Sequence, residues 1–182
     1  MPTPQEEIRA QLTGPGGPFE IVDEPVLGTV LPVFKNRLGS LRELLAQGAA
    51  HGDKEFMVYE GERISYAETL KRAASLATVL REEYGIEPGD RVALLAANCP
   101  SFVIAFFAIT SMGAIASAFN GWWVADEILY GLEDSEPRLL IGDAKRLERV
   151  AGSSLDVPVL RIGPDFDARC TAHPEAPKSS KK

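Results

Sequence analysis

Cysteine and histidine are scarce in this chain, two of each in 182 residues: Cys99 and Cys170, His51 and His173. The cysteines stand far apart and form no CxxC pair, which excludes a disulfide framework or a zinc ribbon and makes a reducing cytoplasm the expected setting. The histidines give no readable catalytic or metal pair. His51 falls at a helix end, where a cation interacts well with the dipole, and His173 falls in the C-terminal stretch. Basic side chains are outnumbered 19 to 26, for a net charge of −7, which argues against a nucleic-acid partner. The N-terminus shows no apolar core behind a basic start, so no secretory signal is expected.

Charge is missing altogether from Val92 to Ala125, and Phe102 to Phe119 is apolar enough to raise the question of a membrane span. Three features favour a soluble reading. Asn98 and Pro100 punctuate its start, Gly113 divides it into a helix-length and a strand-length piece, and no Lys/Arg cluster flanks it. A buried helix followed by a buried parallel strand needs the same composition.

Helical and extended segments alternate elsewhere. Capping boxes at Ser40–Glu43 and Ser65–Glu68 open two helices, the first with Leu41, Leu44, Leu45 and Ala49 near one face and ending around Gly52. The second has the stripe Tyr66, Leu70, Ala73, Ala77, Leu80 and Tyr84, with Gly85 where a left-handed C-cap belongs. "EFMVYEG", "RVALLA", "AIASAF", "RLLIGD" and "VPVLRI" read as strands; Ser101 to Met112, Ala125 to Glu133 and "AKRLERV" read as helices. The expectation is an α/β fold, a mostly parallel sheet with helices on both faces. It occupies residues 37–163, between a Pro/Gly-rich N-terminal arm (1–36) and a loose tail (164–182) whose terminal "KSSKK" reads as a solvated end.

Both tryptophans, Trp122 and Trp123, sit between a strand and a helix. Asn120-Gly121 supplies the turn, and Asp126 and Glu127 suit the positive end of the helix dipole. The favoured role for the pair is sealing the strand-to-helix corner. The alternative is an acyl-chain or subunit contact, since large aromatics are preferred anchors there. Cys99 beside Pro100 has no base in view and reads as a buried structural thiol.

In order and spacing, "ISYAE", "GIEPGDRVAL", Asn98-Cys99-Pro100, "AITSMGAI", Asn120 and "EILYGLEDSEPRLLI" resemble the N-terminal portion of class I adenylate-forming enzymes, most of all fatty-acyl-CoA synthetases. The resemblance runs from about Arg37 to Val150. One departure is Ala118-Phe119, where the family usually has Pro-Leu. The resemblance implies a ligase in which a fatty acid attacks the α-phosphate of ATP, releasing pyrophosphate, and the thiol of coenzyme A then displaces AMP. It also implies that magnesium, ATP and coenzyme A serve the complete enzyme. The Ser/Thr/Gly-rich, Lys-ended phosphate loop and the C-terminal lysine domain are not among these residues, so this chain alone is expected to be inactive, with no catalytic, cofactor or metal residue assigned.

"TGPGGP" (Thr13 to Pro18) does not replace that loop: its prolines delete N–H donors, no Lys follows and no strand precedes it. "GIEPGD" lacks the GxGxxG order of a Rossmann cofactor binder. A reading of another class is a stand-alone interaction module that pairs with a full-length ligase through an incomplete sheet. Self-association and peripheral membrane contact stay open beside it.

Overall fold

The computed structural model describes residues 2–174 and divides the chain into two compact units, Met1–Gly39 and Ser40–Lys182. The first is not a bare arm. Helix α1 (Pro4–Thr13) starts on a complete capping box, Thr3 with Glu6, and a hairpin of β1 (Ile21–Val26) and β2 (Thr29–Phe34) follows. The expected arm missed these elements because prolines at Pro25 and Pro32 mask the strand pattern, although Pro is tolerated where a two-stranded ribbon has only edges.

In the second unit, α2 (Leu41–Gln47) begins where Ser40 Oγ accepts the Glu43 N–H at 3.2 Å, and a 3-10 turn over Gly48–His51 carries the chain to Gly52. Its apolar stripe is not core: Leu41 and Leu44 stay exposed. Strands β3 (Glu55–Tyr59) and β4 (Glu62–Ser65) form a separate antiparallel hairpin, so "EFMVYEG" lies outside the parallel sheet. Helix α3 (Tyr66–Glu82) is capped by Ser65, whose Oγ accepts the Glu68 N–H at 3.1 Å, while Glu68 turns its carboxylate to Arg72 at 2.8 Å instead of completing a capping box. The Ile86 N–H closes the helix on the Leu80 carbonyl, and Gly85 takes φ +63° as expected. The buried face runs through Thr69, Ala73, Leu76, Val79 and Leu80. It is rotated from the expected stripe because Tyr66 and Tyr84 sit at the rim.

The remaining elements alternate: β5 (Arg91–Leu95), α4 (Pro100–Ser111), β6 (Ile115–Ala118), α5 (Ala125–Ser135), β7 (Leu139–Gly142), α6 (Ala144–Leu147), β8 (Val159–Arg161) and α7 (Pro164–Arg169). Strands β6-β5-β7-β8 lie side by side, every pair parallel. The chain is an α/β fold with helices on both faces. Alternate residues feed two cores. Val92, Leu94, Leu139, Ile141 and Leu160 pack with residues of α3, α4 and α7, and Ala93, Leu95 and Leu140 pack with residues of α5 and α6. Among the described residues no helix is long and apolar enough to cross a membrane. The uncharged segment runs through the buried strand β5, the twelve-residue helix α4 and the strand β6. Strand β6 lies at the sheet edge and is partly exposed rather than buried as expected, because among the described residues no strand pairs with its outer side.

The expected loose tail begins instead with an anchored helix. Phe166 of α7 is fully buried and Cys170 nearly so. Ser75, buried in mid-helix, donates to the Arg169 carbonyl at 2.8 Å and accepts the His173 N–H at 3.0 Å. One aromatic in a polar six-residue helix gives no periodic signal, and only the hydrophobic slot beneath it explains its order. "KSSKK" lies outside the described residues.

Candidate functional site

In an open parallel sheet, ligands bind outside the carboxyl ends of the strands, where successive connections leave in opposite directions. Here that point lies between β5 and β7. The loop after β5, the Asn120 turn after β6 and the start of α6 after β7 meet there, and Asp143 joins them. Its carboxylate accepts the Ala97 N–H at 2.8 Å and the Arg146 N–H at 3.0 Å, and pairs with the Arg146 guanidinium at 2.8 Å. Arg146 Nε and Arg149 Nη1 both donate to the Gly121 carbonyl at 3.0 Å, and Arg149 reaches the Trp123 carbonyl at 2.6 Å. Burial pushes the Asp143 carboxyl up, but the Ala97 and Arg146 amides and the Arg146 guanidinium outweigh it and hold it below the usual range.

The tryptophans are placed by this brace and separated by it. Asn120 Oδ1 accepts the Trp122 N–H at 3.0 Å, and its carbonyl accepts the Trp123 N–H at 3.0 Å. Trp123 turns inward, its ring 5.3 Å from Phe119. It lies so close to α5 that a Cβ on Gly131 would sit 2.8 Å from Trp123 Cζ3. Phe119, the second residue of the Ala118-Phe119 departure, is buried. Trp122 turns outward and is 83% exposed. Corner sealing therefore describes Trp123 alone.

A second concavity, about 360 Å³, is walled by Leu44, Leu45, His51, Phe56, Tyr66 and Phe107. His51 lies against Tyr66 (4.6 Å between centroids) and Tyr66 against Phe56 (4.5 Å). The histidines are not brought together: His173 approaches Glu82 at 3.9 Å. Cys99 precedes α4 and is half-buried rather than buried, whereas burial pushes the Cys170 thiol up to about 12.

The brace was not foreseen. An Asp just past a strand with Arg three and six residues on was its signal. Its carboxylate and both guanidinium groups bond to neighbouring backbone and side-chain groups. Among the described residues every buried side-chain polar atom has a partner, and no group of three His, Cys, Asp or Glu is arranged for a metal ion.

Fold and edge together define a doubly wound α/β unit, its switch point closed by its own side chains. The model of the AMP-binding enzyme family matches residues 44–181, and the chain belongs to that family. It is 29% identical over 163 residues to "Acyl-CoA ligase sidI" of Aspergillus fumigatus, covering 87% of this chain and 26% of that one. To "Long-chain-fatty-acid--CoA ligase" of Bacillus subtilis it is 30% identical over 103 residues, covering 56% and 18%. The solved N-terminal domain of FACL13 from Mycobacterium tuberculosis superposes with a TM-score of 0.68 at 27% identity, covering 80% of this chain and 39% of that one. The chain spans about a fifth to a quarter of the length of these curated relatives.

Proposed function

We propose that this chain forms the N-terminal α/β subdomain of an acyl-CoA synthetase acting in the cytoplasm on fatty acids. In that reaction a carboxylate oxygen bonds to the α-phosphate of ATP and expels pyrophosphate; the coenzyme A sulfur then bonds to the acyl carbon and AMP leaves. The observation that carries this reading is the family match over 44–181, on a fold that superposes on a solved N-terminal domain of a relative with a TM-score of 0.68. The same reading assigns the nucleotide, magnesium and coenzyme A sites to residues other than these 182. On this reading the chain alone neither binds ATP nor makes acyl-adenylate. Trp122 suits a contact surface rather than an acyl lining, because it faces water.

The deciding experiment is calorimetric titration of the 182-residue chain with magnesium-ATP, with hydroxylamine trapping of any acyl-adenylate formed from a fatty acid. Silence from folded protein is expected; heat together with trapped hydroxamate overturns the assignment.

A second reading is a module that pairs with a full-length ligase. It is supported by the uncovered edge of β6, where Ile115 is half-exposed. Co-sedimentation with such a ligase at micromolar concentration distinguishes the two.

A further inference from the structure

Helix α5 carries an aromatic cleft on the side away from the sheet. Trp123, Asp126, Glu127 and Tyr130 line an open concavity of about 370 Å³. Within α5, Tyr130 follows Asp126 by four residues and Glu127 by three, which puts these three on one side of the helix, while Trp123 belongs to the turn that precedes it. Tyr130 is 68% exposed, Trp122 precedes the cleft in full view of water, and Glu133 and Asp134 extend the helix surface, both exposed. Among the described residues no Lys or Arg pairs with any of these four carboxylates. Arg146 and Arg149, which support the turn beneath, are occupied by Asp143 and backbone carbonyls.

Exposed tryptophan and tyrosine are the side chains that most often anchor a partner. One helix and its entry turn cannot enclose a small molecule, which would keep most of its surface in water. A second copy offering the same face would set carboxylate against carboxylate. Glu127 caps the helix by accepting the Val124 N–H at 2.8 Å. The carboxylates of this face, none of them paired with a cation among the described residues, complement a cation that stacks as well as pairs, as a guanidinium does on indole and phenol faces. We propose that this face of α5 docks a protein segment presenting arginine or lysine beside an apolar side chain. The proposal stands independently of the catalytic reading.

The chain reports on this site itself, since its two tryptophans both lie there. The full chain is titrated with a synthetic peptide of alternating arginine and leucine, and with the same peptide carrying glutamate for arginine, while tryptophan emission is followed. A saturable blue shift is expected with the cationic peptide and none with the acidic one. Asp126→Asn with Glu133→Gln should weaken binding about tenfold, as the loss of two rim charges would. Tyr130→Ala should weaken it at least as much. Equal responses to both peptides overturn the proposal, as does unchanged affinity in the charge variant. So does a shift produced by phosphatidylcholine vesicles in place of peptide, or self-association without peptide that Tyr130→Ala abolishes.

Discussion

The two faces of the parallel sheet are closed by different means. Against one, α3 and α4 build a broad apolar layer that the chain finishes late, with Phe166 and Cys170 entering after the last strand. Against the other, α5 and α6 cover a smaller core whose rim at the carboxyl edge is tied by Asp143, Arg146 and Arg149. The first closure depends on volume filled, so it should fail by cavity formation. The second depends on fit and paired charge, so it should fail by steric insertion or loss of a proton acceptor.

The sharpest way to break the first closure is Phe166→Ala. Truncating a fully buried phenylalanine costs about 3–5 kcal/mol, and the urea midpoint should fall accordingly. Cys170 gives a second readout. In the parent chain its thiol, buried and pushed up to about 12, should resist a thiol reagent at pH 8 until unfolding, while half-buried Cys99 reacts. In the variant both should react. A Cys170 already labelled in the parent would mean that α7 is not held as described.

In the second closure Gly131→Ala should cost about 1–3 kcal/mol from overpacking, because the new Cβ meets Trp123 at 2.8 Å and Phe119 at 3.3 Å. Trp123→Phe in the same chain should recover part of the loss. Additive losses in the double-mutant cycle would show that ring and glycine do not touch.

Asp143→Asn should cost about 1–2 kcal/mol at neutral pH, since the amide keeps one acceptor and loses the charge. The carboxyl is held low in the folded chain. Its contribution is therefore present above the unfolded value, near 3.9, and is lost as pH falls through the folded one. Between about pH 5 and 3 the stability difference between parent and variant should shrink. A constant difference across that range would detach the charge from the brace.

These contrasts follow what the sequence makes legible. Strand and helix order could be read because "RVALLA", "AIASAF" and "RLLIGD" are apolar runs between turn signals, and a buried parallel strand needs little more. The closures could not. Phe166 stands alone among polar neighbours, so its helix has no period to detect; its order comes from a slot lined by residues up to ninety positions away. Asp143, Arg146 and Arg149 have the spacing of any solvated helix, and their role appears only when the loops after β5 and β6 arrive beside them. The tryptophan pair was visible, but adjacency cannot say which ring turns inward. Gly131 decides that by leaving room on α5 for one of them.

The smallest expected effect is therefore the most pointed. Trp122→Ala should change stability by no more than about 0.5 kcal/mol, as for any exposed side chain without partners in the fold, although it removes one of the two largest side chains in the molecule. Trp123→Ala, by contrast, empties a half-buried corner against Phe119 and should cost roughly 2 kcal/mol or more. Emission separates the rings as well. Without Trp122 the remaining spectrum should move to shorter wavelength, because the indole left behind is packed; without Trp123 it should move to longer wavelength. If instead Trp122→Ala lowers the urea midpoint as far as Trp123→Ala does, the outward ring is part of the corner, and the contact surface on α5 loses its first anchor.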